Sequence, residues 1–370
     1  MEKLENKFKI TSKFPFLSLL LIGIGAITIR AIFFQNELIF SSDNLSYFKY
    51  AIDVSLTGEP VNPLYTPNNG WPLFITVFFY FFESKNFLDY MNLQSYISIV
   101  LSTITIIPLY FLAKKFTNSL FALISTIFFV FEPRIIQNSL IGATDPLFIL
   151  LIVTSITLIL QKNKYIIYSA CITIALGSIV RAEGLFLIPV LCIIFLIKNK
   201  ITKKNIIQCI IFIIIIYLIL LPFSMQRIEN TGTDNLTGRI IIETQTLTEN
   251  NPNGLELKII NSFYLFIQFL SKLMIPYLII FVPLGIILLL KEKNNQKALL
   301  IIPGLFLVLP SLYAYTIPLL DSRYLFPILP ILCIVGVFSF KIYFKNRKYK
   351  KIIVTIIIFI VIISSILFLN

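Results

Sequence analysis

Long apolar runs recur along the whole sequence, and they constrain the fold more than any other feature. They consist mainly of Ile, Leu, Phe and Val and reach about 20 residues. A helix needs roughly 20 apolar residues to cross a bilayer, and its backbone satisfies its own hydrogen bonds there. We therefore predict membrane-spanning helices near residues 15–34, 93–113, 118–131, 146–160, 165–180, 184–197, 206–224, 274–290, 298–317, 324–340 and 352–369.

The overall composition supports the same fold class. Hydrophobic residues make up 57% of the 370 residues, and only 13% are charged. Soluble globular proteins carry about 25% charged residues, so most of this surface must face lipid. The sequence predicts an all-α polytopic membrane protein with about 11 transmembrane helices, forming one integral membrane domain over residues 1–370.

The residue types exclude several classes of chemistry. The chain has no histidine, and its four cysteines all lie inside apolar runs. Most zinc, haem and Ser-His chemistry is therefore excluded. No P-loop motif is present, which argues against an ATP-driven pump. We expect no required cofactor and no resident metal; a divalent cation such as Mg or Mn, if used, would need oxygen ligands.

The basic residues are distributed unevenly. The net charge is +13, and 21 of the 31 lysines and arginines fall in one set of short connections with only three of the 18 acidic residues. Short loops rich in Lys and Arg are typical of the cytoplasmic side. The excess is thus a topology signal, and no nucleic acid is needed to explain it. We predict a plasma membrane protein with a cytoplasmic N-terminus and an extracytoplasmic active site.

Two long connections are predicted on the outer side. The first covers 35–92 and includes an apolar segment, 71–82, expected to lie in the interface with Trp71 and Tyr80 at headgroup depth. The second covers 225–273, polar at first and amphipathic from 259 onward. No cytoplasmic connection is long enough to fold as a separate domain.

Ionisable residues cluster at the predicted outer ends of helices. Such groups are costly near lipid, so each is a functional candidate by default. Ordinary structural roles also stay open: Asp43 is well placed to cap a helix over 44–56, and single arginines often anchor to headgroups. The clusters contain Asp43; Glu132 and Arg134; Asp145; Arg181 and Glu183; and Asp321, Arg323 and Tyr324.

These residue types suit transfer from a lipid phosphate. Arginine binds phosphate through charge-assisted, bidentate hydrogen bonds. A carboxylate can accept the proton of an attacking hydroxyl or orient an attacking amide. Aromatic side chains such as Tyr47 and Trp71 can stack on the face of a sugar. The pattern favours an enzyme that takes an activated sugar from the membrane.

Four segments resemble motifs of a known superfamily. In this order along the chain, they are similar to GT-C membrane glycosyltransferases, of the protein O-mannosyltransferase and aminoarabinose-transferase type (glycosyltransferase family 39). One departure is Asn44, which stands where the family often has a second acid. The segments are Ser42-Asp43-Asn44-Leu45-Ser46-Tyr47, Asn69-Gly70-Trp71-Pro72-Leu73, Thr144-Asp145-Pro146-Leu147 and Arg323-Tyr324-Leu325-Phe326-Pro327.

The resemblance implies a reaction and a set of roles. A polyprenyl-phosphate sugar would be the donor, a protein or glycolipid the acceptor, and Asp43 the base for an inverting displacement. Asp145 would be the second catalytic residue, orienting the acceptor or the donor hydroxyls, and Arg323 and Arg181 would be the first choices for the phosphate. The full substrate-binding set is Tyr47, Trp71, Arg134, Arg181, Glu183, Arg323 and Tyr324.

A multi-span transporter or lipid flippase without transferase activity is the alternative function. Such proteins usually have paired halves and charges near the middle of the bilayer. Here the charges gather at one side, and no internal repeat is visible. A structural membrane protein is a third class, in which the outer carboxylates would be dispensable.

Overall fold

The computed structural model describes residues 14–36, 40, 42–58, 69–161, 163–231, 254–291, 296–317, 319–343 and 350–370. Within these ranges the protein is helical and contains no strand. Residues 232–253 of the predicted second outer loop lie outside them.

The described part of the first half of the chain contains nine helices, and Asp43 and Asp145 lie at the starts of two of them. In chain order they are α1 (Phe14–Phe33), α2 (Ser42–Thr57), α3 (Gly70–Tyr80), α4 (Phe87–Ile104), α5 (Ile106–Lys114), α6 (Ser119–Val130), α7 (Pro133–Leu140), α8 (Asp145–Ile159) and α9 (Lys164–Val180).

The second half completes the bundle. A 3-10 turn (Ala182–Phe186) leads into the next helix, and another (Ser322–Ile328) precedes the last two. The helices are α10 (Leu187–Asn199), α11 (Lys203–Thr231), α12 (Gly254–Met274), α13 (Leu278–Lys291), α14 (Gln296–Thr316), α15 (Leu329–Tyr343) and α16 (Lys350–Leu369).

Six helical segments of the described chain are long and apolar enough to cross a membrane. The number rises to eight if each of two bent pairs, α6 with α7 and α12 with α13, counts as one span. The number of eleven stays a prediction, because three of the spans it needs are shorter apolar helices: Asp145–Ile159, Tyr165–Val180 and Val354–Leu369. The interfacial segment predicted at 71–82 corresponds to α3.

The helices differ greatly in how much of their surface meets other helices. In the apolar stretch of Ser322–Phe340, 89% of the residues are buried. In that of Lys203–Glu229 only 22% are buried, and this helix exposes a row of isoleucines. Lipid is as apolar as these side chains, so van der Waals packing and hydrogen bonds associate the helices. α15 therefore forms the centre of the bundle, and α11 lies at its periphery.

Gly285 makes the closest helix contact of this centre. A Cβ atom at Gly285 of α13 would overlap the carbonyl oxygen of Val335 on α15, which is backbone and has little freedom to move. We expect Gly285→Ala to lower the free energy of unfolding by about 1–3 kcal/mol.

Thermal unfolding in detergent measures this change. Gly304→Ala is the matched control, because its added Cβ would meet only the Ile331 side chain at an ordinary 3.6 Å. Equal unfolding temperatures for the two variants would contradict the packing argument.

The break between α6 and α7 is closed by side chains from distant helices. The two helices meet at 53°, and Pro133 at the start of α7 has no N–H to donate. Tyr277 donates to the Phe128 carbonyl at 2.6 Å, Arg30 to Val130 at 3.1 Å, and Ser365 to Phe131. The backbone carbonyls at the bend therefore accept hydrogen bonds from side chains of other helices.

Arg30 also connects this break to other helices. Its side chain is fully buried, with Nε donating to Ser139 Oγ and Nη2 to Ser102 Oγ, each at 2.9 Å. It thus ties α1 to α4 and α7. This role of Arg30 was not predicted, although an arginine inside a first apolar run is itself a signal of a buried polar network.

Candidate functional site

Asp43 lies in the first turn of α2, where the sequence allowed a helix start. Its side chain is 57% exposed, and its Oδ2 atom is 3.7 Å from Nη2 of Arg323. A carboxylate is stabilised at a helix N-terminus by the helix dipole. Because α2 begins at Ser42, Asp43 lies inside the first turn and not at the cap position that the sequence suggested. The helix start presents this carboxylate to solvent beside a guanidinium.

Arg323 is held by the residue that begins its own turn. Asp321 accepts from the Arg323 backbone N–H through Oδ1 at 2.9 Å and from Nε through Oδ2 at 2.6 Å. This fixes the stem of Arg323 and directs Nη2 toward Asp43. The guanidinium is 34% exposed, so a ligand can still reach it. Asp321 was grouped with Arg323 by sequence, but its role as the partner was not predicted.

Arg181 and two carboxylates form the buried part of the site. Its Nη1 donates to Asp145 Oδ1 at 2.5 Å and its Nη2 to Glu183 Oε1 at 2.7 Å. Burial acts to lower the pKa of Arg181, but the Glu183 and Asp145 charges outweigh it and raise the pKa above its ordinary value. Arg181 is thus permanently charged and already neutralised by protein groups.

The position of this arginine follows from its backbone and from two rings. It ends α9 in an extended conformation, with its N–H bonded to the Gly177 carbonyl at 2.9 Å. Its guanidinium carbon lies 5.6 Å from the ring centres of both Phe148 and Tyr324. These rings on distant parts of the chain hold the guanidinium by cation–π contact.

Asp145 begins α8 and is fully buried. The following Pro146 is well suited to a first helical turn, because its missing N–H would have no partner there. Asn138 on α7 donates to Asp145 Oδ2 at 3.0 Å, so both carboxylate oxygens accept a hydrogen bond. Sequence reasoning missed Asn138, which gave no signal beyond a polar residue near an apolar run.

Tyr47 lies one turn after Asp43 on α2 and is buried. Burial raises its pKa to about 12, and the charges of Arg181, Asp43, Asp145 and Glu183 all act on it. Its hydroxyl is therefore neutral at physiological pH and excluded as a base. The ring is packed inside the protein, and the predicted contact of Tyr47 with a sugar stays a prediction.

Trp71, for which stacking on a sugar was also predicted, is packed in the same way. Its side chain is fully buried and stacks on Phe74 with ring centres 6.1 Å apart. No face of the indole is open to a ligand, although Tyr80 at the other end of α3 is 71% exposed. Tyr65 of the same outer loop lies outside the described residues.

Arg134 is also placed apart from the other arginines by its contacts. Nη1 donates to the Ile275 carbonyl at 2.8 Å, and the guanidinium lies over Phe368 at 4.8 Å. Glu132 caps α7 by accepting from the Ile135 N–H at 2.8 Å. Arg134 therefore connects α7 to α16 and to the turn before α13, and its substrate-binding role stays a prediction.

The site therefore gathers four separate parts of the chain at one end of the bundle. It contains four carboxylates and two guanidiniums: Asp43, Asp145, Glu183, Asp321, Arg181 and Arg323. Arg323 is close enough to interact electrostatically with both Asp145 and Arg181. We name this group the charged cluster. It combines an exposed carboxylate, an accessible guanidinium and a buried, prearranged ion-pair network.

Two of the four carboxylates of the charged cluster are occupied by hydrogen-bond donors of the protein. In the part of the chain that the structure describes, no three Cys, Asp or Glu side chains are grouped as ligands. Asp145 uses both oxygens on Arg181 and Asn138, and Asp321 uses both on Arg323. A cation bound by Asp145 or Asp321 would have to displace these donors.

Comparison with known proteins identifies relatives of the fold. A family model described as "Predicted membrane protein (DUF2079)" matches residues 71–370, so Asp43 precedes the matched part. The search of curated proteins gives no match.

Solved structures show the same helical architecture at low identity. The apo oligosaccharyltransferase of Archaeoglobus fulgidus is 13% identical with a TM-score of 0.65, over 97% of this chain and 55% of that one. Its complex with an inhibitory peptide and a dolichol-phosphate is 12% identical, with a TM-score of 0.64, over 98% and 56%. ArnT of Cupriavidus metallidurans, bound to undecaprenyl phosphate, is 10% identical, with a TM-score of 0.67, over 87% and 60%.

These similarities confirm the GT-C fold that the sequence motifs predicted. The chain spans about half the length of the oligosaccharyltransferase chains that it matches.

Proposed function

We propose that this chain, which belongs to the family described as predicted membrane protein (DUF2079), is a glycosyltransferase. It would move a sugar from a polyprenyl-phosphate donor to a protein or glycolipid acceptor at the extracytoplasmic face. The observation that carries the proposal is the Asp43–Arg323 pair, an exposed carboxylate 3.7 Å from an accessible guanidinium.

The donor class is supported by two independent considerations. Structures of the same fold contain dolichol-phosphate and undecaprenyl phosphate, and one oligosaccharyltransferase structure carries a tethered acceptor peptide. In this chain, Arg323 can reach a ligand phosphate because it is one-third exposed. Arg181 is committed to Asp145 and Glu183, so we assign Arg323 as the phosphate ligand and Arg181 as an organiser.

The proposed reaction is a single displacement at the anomeric carbon. The acceptor oxygen or nitrogen forms a bond to this carbon while the bond to the phosphate oxygen breaks, and the electron pair leaves with the lipid phosphate. Asp43 takes the acceptor proton, and Arg323 stabilises the developing charge on the phosphate. One displacement inverts the anomeric configuration.

Asp145, Glu183 and Tyr324 have supporting roles in this proposal. Asp145 and Glu183 are held by Arg181, and the Tyr324 ring packs on its guanidinium. Glu183 and Tyr324 retain some exposure, so they can contact donor hydroxyls. Asp145 is fully buried, and we assign it to fix the arginine that these residues surround.

The proposal also includes a membrane orientation. Eleven crossings with a cytoplasmic N-terminus place the charged cluster outside, as the lysine-rich connections indicate. In this arrangement the α6–α7 and α12–α13 pairs each cross once, and α3 lies in the outer interface. A lipid-linked donor reaches the cluster laterally from the outer leaflet.

A liposome assay tests the proposed function. The purified protein is reconstituted with radiolabelled polyprenyl-phosphate sugars, candidate peptides and lipid extracts, and new glycosides are counted. A labelled glycoside supports a transferase. Movement of the labelled lipid between leaflets without any glycoside would instead support the flippase alternative.

Replacing Arg323 distinguishes a phosphate ligand from a lipid anchor. We expect Arg323→Ala to raise the KM for the donor by about tenfold, since charge-assisted hydrogen bonds contribute roughly 1.5–3 kcal/mol. Arg323→Lys keeps the charge and should lose less. The donor concentration dependence of initial rates measures both effects, and an unchanged donor KM in the two variants would favour the anchor role.

A further inference from the structure

The turn that delivers Asp145 has an unusual construction. It covers residues 141–144, between α7 and α8, and Gly142 adopts the left-handed conformation with φ of +64°. A Cβ at Gly142 would approach Gln94 Cγ and Phe40 Cζ to 2.9 Å each. The turn is therefore packed directly against α4 and the segment before α2, and only glycine fits there.

Two buried side-chain amides donate hydrogen bonds to backbone carbonyls of this turn. Asn44 Nδ2 donates to Ile141 O at 3.1 Å, and Gln94 Nε2 donates to Gly142 O at 2.8 Å. Asn44 is 7% exposed and Gln94 is fully buried. Their side-chain oxygens have no hydrogen-bond partner among the described residues. Each amide is thus oriented by the carbonyl it donates to, because reversing it would bring two acceptors together.

Asn44 directly follows Asp43 on α2. A hydrogen bond from this side chain therefore sets the distance between the helix start that carries Asp43 and the turn that carries Asp145. Gln94 fixes the same turn from α4. Together the two contacts connect the exposed and buried parts of the charged cluster, which are far apart in sequence.

We propose that Asn44 is a positioning residue that, with Gln94 as its counterpart, aligns Asp43 with the Asp145–Arg181–Glu183 network. This inference rests on the proposed function. It also explains the asparagine at a position where an acid was a plausible alternative. The contact needs a donor, and an ionised carboxylate at position 44 would face the Ile141 carbonyl as a second acceptor.

The variant Asn44→Asp tests this role because it is isosteric and replaces the donor with an ionised acceptor. Misplacement of a reacting group by about 1 Å can cost about a hundredfold in rate. We expect kcat at pH 7.5 to fall by about tenfold or more, with little change in the donor KM. The ratio of variant to wild-type kcat should rise as the pH is lowered, since the introduced carboxyl group can donate once it is protonated.

Dividing the kcat of the variant by that of the wild type cancels the pH dependence that the other ionisable groups give to both proteins. Asp43, Asp145, Glu183, Asp321, Arg181 and Arg323 are present in both proteins, so their ionisation affects both rates. An Asn44→Asp variant with wild-type kcat at pH 7.5, or a ratio independent of pH, would overturn the proposal. A gain of activity with added divalent cations would also overturn it, because position 44 would then be an acid or metal-ligand position.

Asn205 provides a matched control. Its Nδ2 donates to the carbonyls of Asn199 and Lys200 at 2.8 and 2.9 Å, a similar clamp on the turn between α10 and α11. Asn205→Asp should leave kcat per folded protein unchanged. An equal fall of kcat in the two variants would mean that general loss of structure explains both.

Hydrogen exchange separates this inference from the proposed function. In Asn44→Leu and Gln94→Leu, amides of residues 141–146 should exchange faster than in the wild type, while those of α13 and α15 are unchanged. Unchanged exchange of this turn would overturn the clamp even in an active enzyme. A wild-type protein without transfer would reject the glycosyltransferase, and the exchange result would still decide the clamp.

Discussion

Asp43→Asn is expected to lower sugar transfer by about a hundredfold or more. General base catalysis contributes about 10²–10⁴-fold, and an amide cannot accept the acceptor's proton. The side chain is 57% exposed and interacts with a half-buried arginine, so the substitution should change stability by less than about 1 kcal/mol. Activity should therefore be lost while the protein still folds.

Transfer rates in liposomes and thermal unfolding in detergent together measure this outcome. Asp53→Asn is the matched control, because Asp53 lies on the same helix ten residues further on and outside the charged cluster. It should keep wild-type rates. If Asp43→Asn also keeps wild-type rates, another group must be the base.

Arg181→Met is expected to cause the largest loss of stability. It would leave the fully buried Asp145 without its cation. Removing one partner of a buried ion pair typically costs about 3–5 kcal/mol, because the remaining charge is uncompensated. Glu183 is partly exposed and can be solvated, so Asp145 accounts for most of the expected loss.

A second substitution tests this explanation. Arg181→Met combined with Asp145→Asn removes both charges, and much of the lost stability should return. Arg323→Met is the control, since its more exposed pairs should contribute only about 0–1 kcal/mol. The unfolding temperature of each of the three variants measures its loss of stability. If the double variant is no more stable than Arg181→Met alone, the buried charge is not the cause.

The motifs at helix and turn starts could be interpreted from sequence because the preference for such a start depends on neighbouring residues. Thr144-Asp145-Pro146 begins a helix since proline and an acid both favour a first turn, and α8 starts there. Asp321-Ser322-Arg323 likewise begins the turn Ser322–Ile328. The GT-C fold, predicted from the order of such motifs, is confirmed by the structural comparisons.

Burial of individual side chains is the property that the sequence left open. Trp71 and Tyr47 are aromatic residues next to polar loops, and their sequence context is the same for an open ring and for a packed one. The structure buries both. Arg30, in contrast, was absent from the predicted site, yet it is fully buried and hydrogen-bonds to three other segments of the bundle.

The sequence by itself determined which ionisable residues, Asp43 among them, could matter at the ends of the helices. Hydrophobicity and helix signals are local, so the apolar runs placed the membrane and left few ionisable residues at helix ends. Tertiary structure alone decided their partners. Asp43 pairs with Arg323, Arg181 pairs with Asp145 and Glu183, and Asn44 donates a hydrogen bond to Ile141. Ion pairs and amide contacts depend on distances between segments, and the sequence does not fix these distances.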